Sequence, residues 1–374
     1  LDILELSRPT RGDFMQDIFN SISINNDYVN TIVKNNVYNS KVIEPFYYRM
    51  SEEFPDLRDY FISKSFNIFN CNQYWQFDVY NNQKIKDFKK TNLCKDKFCN
   101  NCKKVVQASR MSRFIPLINN FSDSYSLYHV VLTVKNCSSS DLQSVIKKMF
   151  KSYYYLNRYF NLNKKIRGFD FGVFGYAGSL RSLEVTFKDD SYHPHLHCIF
   201  ALSKDYSINN KDYINCFSYN NNVLSRKFSF LEILVQKIWY LLNNDIKVTL
   251  NNIDRLDVGY SCIFDSVDDS SYFEVFKYMT KSCDESDNAL TYENFKTLFF
   301  ALYRVRQIQG YGIFYNFKED DNIDFEVDEY YDFIVEYLQK KESPIEIFET
   351  PQDSLKDDFL LISRKKIYSY LKNL

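Results

Sequence analysis

The stretch SYHPHLHCIF, residues 191–200, holds three of only four histidines in a chain of 374 residues. His193, His195 and His197 stand at every second position. Imidazole is the commonest metal ligand and the side chain that exchanges protons near neutral pH. Alternate side chains of a β-strand share a face, so His195 and His197 project together and can hold one ion. If RSLEVTF (181–187) pairs with this strand, Glu184 adds a carboxylate on the same face. Two imidazoles and a carboxylate leave positions open for substrate oxygens, which suits Mn²⁺ or Mg²⁺ acting on a phosphate. His193 competes with Glu184 as third ligand. Pro194 has no N–H to give a ladder, so the strand is expected to begin near it or to lie at an edge, with His193 on the turn.

A second cluster lies upstream. Cys94-x4-Cys99-x2-Cys102 offers three thiolates, and Cys71 supplies a fourth. In a reduced protein that set predicts a tetrahedral structural Zn²⁺ site. Lys95, Lys97, Lys103 and Lys104 surround the cluster, which makes a DNA-facing zinc knuckle the expectation. Nine cysteines in so long a chain do not form a disulfide framework. Cys137, Cys198, Cys216, Cys262 and Cys283 are expected to be core or incidental.

Downstream, YFEVFKYMTKS (272–282) spaces Glu274, Tyr278 and Lys281 at i−4, i and i+3, one face of a helix. A phenol with a pKa of about 10 is a weak nucleophile. It attacks when a cation polarises a phosphodiester and a lysine stabilises the phenolate. With 31 tyrosines in the chain, the spacing carries this signal rather than the residue type.

The elements that must position these residues follow from hydrophobic periodicity. YSLYHVVLTVKN (125–136), RSLEVTF (181–187), HLHCIFAL (195–202) and RLDVGYSCIF (255–264) read as strands, and KDDSYHP joins the middle pair. Leu142, Val145, Ile146, Met149 and Phe150 fall at helical spacing, and FLEILVQKIWYLLNN (230–244) and SYFEVFKYMTKS (271–282) are amphipathic helices. The order predicts an α+β fold: a mostly antiparallel sheet of about five strands flanked by helices, plus a small Cys-rich zinc module. Four regions are expected: an unassigned segment 1–70, the Cys-rich module 71–110, a catalytic domain 111–318 and an acidic extension 319–374. A linker, ESPIEIFETPQDS, and a short last helix are expected within the extension.

Composition is globular, with 45% hydrophobic and 25% charged residues, and the net charge is −1. Charge is uneven. Residues 84–113 hold ten Lys or Arg against Asp87 and Asp96, whereas 319–337 hold nine acids and no base. A basic region beside an acidic one suits a nucleic-acid partner. No apolar run is long enough to span a membrane, and LDILELSRPTRGDF lacks the basic-then-apolar order of a signal peptide. The expected location is the cytoplasm, with no membrane partner.

By itself the histidine pattern fits two chemistries. It resembles the histidine-triad nucleotide hydrolases. It also resembles the HUH endonucleases, in which an apolar residue, here Leu196, separates two metal-binding histidines. The order of segments favours the second. CNQYWQF with LCKDKFCNNCKK, then VVLTVKNC, RSLEVTFKDDSYHPHLHCIFAL, EVFKYMTK and LFFALYRVRQIQGYGIF run in the order of a family, over roughly residues 71–317. The chain thus resembles the plasmid rolling-circle replication initiators of the HUH superfamily, in the branch with an N-terminal cysteine cluster and a Glu-x-x-x-Tyr-x-x-Lys motif. One departure is Asn100, where the branch carries Pro before the last cysteine pair closes.

The resemblance implies an HUH-type core and a metal-dependent endonuclease and strand transferase. Tyr278 would attack the scissile phosphate at the origin and become linked to the DNA 5′ end. The freed 3′-hydroxyl would prime synthesis. His195 and His197 would hold the divalent ion, Glu274 would direct hydrolysis at termination, and Lys281 would support the tyrosine. Partners implied are plasmid origin DNA as a hairpin or single strand, a host helicase and a DNA polymerase. The alternative from another class is a non-catalytic, zinc-dependent binder of origin DNA.

Overall fold

The computed structural model describes residues 26–80, 85–206, 213–219, 222–276, 290–317 and 358–363. The chain divides into two compact units, residues 1–109 with 323–374 and residues 110–322.

In the first unit, the described part of the region left unassigned by periodicity, residues 26–70, is helical. Helices α1 (Asn26–Tyr38), α2 (Glu44–Glu53) and α3 (Arg58–Asn70) precede a hairpin of β1 (Tyr74–Tyr80) and β2 (Ile85–Thr91). A π-turn, Asn39–Ile43, joins the first two helices, and Pro45 stands in the first turn of α2, where its missing N–H costs nothing. A third strand, Asp358–Ser363, pairs antiparallel with β1 from Tyr74↔Ser363 to Val79↔Asp358. It occupies part of the stretch where a last helix was expected. Its Phe359, Leu360, Leu361 and Ile362 form a short apolar run, which is compatible with either state until a partner edge is available. Helix α4 (Asn100–Ser122) runs from this unit into the next.

The second unit is built on a five-stranded antiparallel sheet. Its strands are β3 (Tyr125–Thr133), β4 (Gly178–Lys188), β5 (Ser191–Ser203), β8 (Cys262–Ser266) and β9 (Ile308–Gly312). Their order is β8-β3-β5-β4-β9. A separate hairpin, β6 (Tyr213–Tyr219) and β7 (Asn222–Phe228), leads into the helix that follows it. The α+β class and the five-stranded antiparallel sheet flanked by helices agree with the sequence reading.

Helix α5 (Leu142–Phe160) buries Leu142, Ile146, Met149, Tyr153 and Phe160 along one stripe. Tyr153 and Phe160 meet Phe200 of β5. Helix α6 (Phe230–Asn243) starts with a capping box between Ser229 and Glu232. Its Trp239 donates from Nε1 to the carbonyl of Thr133 at the end of β3, and the short helix α7 (Leu250–Asp254) follows α6. The sheet face toward these helices carries Val130, Leu132, Leu183, Val185, Leu196, Cys198 and Phe200, none more than 1% exposed. Burying such side chains stabilises the unit by about 1.5–3 kcal/mol each. The opposite face is the one that carries the histidines.

Candidate functional site

The β4–β5 hairpin places the histidine strand. Its two-residue turn is Asp189–Asp190, with Asp189 at φ 52°, a conformation Asp tolerates. Register then sets Glu184 opposite His195, Ser182 opposite His197 and Thr186 opposite His193. The expectation that the strand starts near Pro194 is overturned. β5 begins at Ser191, so His193 is a strand residue and not a turn residue. The β3 ladder ends at Thr133↔His195, so Pro194 meets no β3 residue and its missing N–H breaks no pairing there.

The three atoms that matter converge. Glu184 Oε2 lies 2.8 Å from His195 Nε2 and 3.1 Å from His197 Nε2. Glu184 is 4% exposed and His197 6%. Nδ1 of His195 sits 3.1 Å from the backbone carbonyl of His193. A carbonyl only accepts, so that nitrogen carries the hydrogen, and in the neutral ring the Nε2 lone pair is left for a cation shared with Glu184. Two imidazole nitrogens and a carboxylate oxygen facing one point form a donor set for a cation. An octahedral Mg²⁺ or Mn²⁺ with bonds of about 2.1 Å keeps adjacent ligands about 3 Å apart, which these separations match. The group of Glu184, His195 and His197 therefore fits a divalent ion. His193 lies outside the group and contributes its carbonyl.

Helix α8 (Asp269–Phe276) packs over this face. Phe276 stacks on Phe114 of α4 at 5.5 Å, and Tyr272 donates to Asn119 of the same helix. Glu274 Oε2 is thereby brought within 4.0 Å of His197 Nε2. Tyr278 and Lys281 lie outside the described residues.

The fourth histidine joins this site. His129 of β3 places Nε2 3.2 Å from Nδ1 of His197, with the rings 7° from parallel. Burial, and then the neighbouring His197, lower its pKa to about 4, against the opposing pull of Glu274, Asp265 and Asp268. Its position on YSLYHVVLTVKN was visible in the sequence. What was missing was the register that sets it beside a residue 68 positions away.

The thiols also converge. Cys71 ends α3, Cys94 follows β2, and Cys99 and Cys102 flank the start of α4. Sγ separations are 3.7 Å for Cys71–Cys99 and Cys71–Cys102, and 3.5 Å for Cys94–Cys102. Four thiolates at about 2.3 Å around a tetrahedral Zn²⁺ stand about 3.8 Å apart, so this set fits that ion. Amides of Asn39 and Asn72 donate to Cys99 and Cys71, and the backbone N–H of Lys95 donates to Cys102. Burial opposes ionisation of Cys99, but hydrogen bonds from Cys102, Cys71 and Cys94 outweigh it and hold this thiol well below its ordinary value.

At Asn100 the turn is closed by other groups. Asp96 Oδ1 accepts the N–H of Phe98, and its carboxylate is held by the Tyr47 hydroxyl and by Lys64 Nζ, each at 2.9 Å. Asn39, Tyr47, Lys64 and Asp96 were not singled out by spacing, because three of them come from helices distant in the chain. Among the four lysines, Lys95 is exposed, Lys97 and Lys104 are half-buried, and Lys103 is 6% exposed. Cys198 and Cys262 are core residues; Cys216 and Cys283 fall where nothing is described of their side chains.

This arrangement can be compared with known proteins. Residues 85–220 match the replication protein family. The match contains three of the four clustered cysteines and the whole Glu184–His195–His197 group, and it stops before Glu274. A replication protein of Staphylococcus aureus, named Protein rep, is 26% identical over 154 residues. That alignment covers 39% of this chain and 61% of the relative. No solved structure matches the chain significantly. The resemblance to plasmid replication initiators drawn from the motifs agrees with these replication-protein matches. Among the described residues no helix is long and apolar enough to cross a membrane.

Proposed function

We propose that the chain is a plasmid replication initiator that nicks one strand at its origin through a 5′-phosphotyrosine. The observation that carries this reading is the convergence of Glu184, His195 and His197, with Glu274 reaching the same imidazole from α8. A divalent cation held there would supply charge neutralisation at the phosphate and at the leaving oxygen. The side chains do the rest. Tyr278 lies one helical turn beyond Glu274 in the sequence, and its phenol oxygen forms the new bond to phosphorus. The bond from phosphorus to the 3′ oxygen breaks, and that oxygen takes a proton to become the priming hydroxyl. One phosphodiester replaces another, so the strand can later be rejoined. Lys281 steadies the phenolate, and Glu274 activates water when the cycle ends.

The Cys71–Cys94–Cys99–Cys102 site holds Zn²⁺ in this proposal and shapes the start of α4, with Lys95, Lys97 and Lys104 toward DNA. Lys103 is assigned to local structure, since it is buried and contacts Asn100. The origin supplies a single-stranded or hairpin nick site, and a helicase and a polymerase of the host act on the product.

Supercoiled plasmid carrying the native origin is the test, incubated with full-length protein and Mn²⁺. Nicked circles are expected, together with a DNA-linked peptide containing Tyr278 by mass spectrometry. Tyr278→Phe removes both. Plasmid that binds the protein but stays closed would overturn the enzymatic reading in favour of the non-catalytic binder. Nicking that survives Tyr278→Phe would overturn the role of the tyrosine.

A further inference from the structure

A neutral imidazole has one N–H and one lone pair. For His197 to aim the lone pair of Nε2 at the point shared with Glu184, its Nδ1 must carry the hydrogen. That hydrogen needs an acceptor, because His197 is buried, 6% exposed. His195 has one in the carbonyl of His193, 3.1 Å away. His197 has a different neighbour at its Nδ1, the Nε2 of His129 at 3.2 Å.

The fold makes this meeting obligatory. β3 and β5 are antiparallel neighbours, with Val131 opposite His197 and His129 opposite Ile199. His129 therefore sits on the histidine face, one pair along and diagonal to His197, within reach of a planar side chain. The rings lie 7° from parallel with centroids 5.4 Å apart, and the two nitrogens meet between them. Glu184 approaches His197 at the other nitrogen, Nε2, so the two partners occupy opposite edges of one ring. His129 is not among the three residues whose ligand atoms converge.

We infer that His129 is a positioning residue: its Nε2 accepts the Nδ1–H of His197 and holds that ring in the tautomer and orientation that present Nε2 to the ion. Groups beyond the ligands orient metal-bound histidines in this way, usually through a carboxylate or carbonyl; here a second imidazole does it. The inference rests on the reading of Glu184, His195 and His197 as a metal site.

The experiment uses the full chain with Mn²⁺, and with Mg²⁺ where a diamagnetic ion is needed. Affinity is measured by calorimetry, and coordinated nitrogens are counted by pulsed electron paramagnetic resonance. Imidazole ¹⁵N shifts of the protein loaded with diamagnetic Mg²⁺ report the tautomer. His129→Leu is expected to weaken Mn²⁺ binding about 10–100-fold and to move His197 from one tautomer to a mixture. His129→Gln, whose Oε1 can accept the same hydrogen, is expected to restore most of both. Unchanged affinity and tautomer in His129→Leu would overturn the inference. So would equal loss in the Leu and Gln variants, or three coordinated imidazoles in the unaltered protein. If that protein binds no more Mn²⁺ than His195→Ala, the metal reading itself fails, a result distinct from a failure of His129 alone.

Discussion

Glu184 decides the charge of the histidine site. Without it, two imidazoles offer a neutral donor pair; with it, a single anion stands within 3.1 Å of both. Glu184→Gln keeps the shape and removes the charge. Since even groups beyond the ligands are worth about 10–100-fold in affinity, this change is expected to lower Mn²⁺ affinity on the order of 100-fold or more, measured by calorimetry. Retained affinity would exclude Glu184 as a ligand. At this scale the sequence was legible where chemistry depends on local spacing: alternate histidines on one strand, thiols two residues apart. Glu184 was legible only as the partner of an assumed pairing. His129 and Asn39 were not legible, since each acts on a residue about 60 positions or more away.

Strands and helices convert that spacing into geometry. Leu196 stands between His195 and His197 and points to the other face, where it is fully buried. Leu196→Ala removes packing directly beneath the site, and a cost of about 2–5 kcal/mol is expected, read from urea unfolding. A cost below about 1 kcal/mol would mean that this face is less tightly packed than described. Helix α8 depends on Phe276 against Phe114. Phe276→Ala is expected to depress nicking by more than tenfold while Mn²⁺ affinity changes little, because it frees Glu274 and the segment beyond without touching the strand ligands. Parallel loss of affinity would show that α8 also supports the ligands. Periodicity identified α5, α6 and the central strands. It misjudged the start of β5, because a proline rule written for paired positions does not apply where the neighbouring ladder has already ended.

The whole chain is nearly neutral, so the proposed role requires any long-range attraction to DNA to come from local charge. The basic run of residues 84–113 coincides with the thiol cluster in the first unit and the start of α4. If Lys95 contacts a phosphate, Lys95→Ala lowers the slope of log affinity against log salt by about one, measured with an origin oligonucleotide by fluorescence anisotropy. An unchanged slope would remove Lys95 from the interface. A metal ion held by the thiols would tie the same region together, since Cys71 follows α3, Cys94 follows β2 and Cys99 precedes α4. Cys99→Ser is expected to abolish bound zinc by elemental analysis and to expose the first unit to proteolysis, since binding energy at such a site is folding energy. Full zinc occupancy in that variant would exclude Cys99 as a ligand.

From residue order alone came the two clusters of candidate ligands, the α+β class and the central strands and helices, because each depends on contacts within a few residues or on a period along one element. Tertiary structure decided the rest. The register of β4 against β5 brought Glu184 to the histidines, and the register of β3 set His129 behind His197. The pairing of Asp358–Ser363 with β1 closed a sheet between residues almost 300 positions apart. Such pairings depend on which edges and faces remain to be covered after the local elements have formed, and no spacing along the chain encodes that.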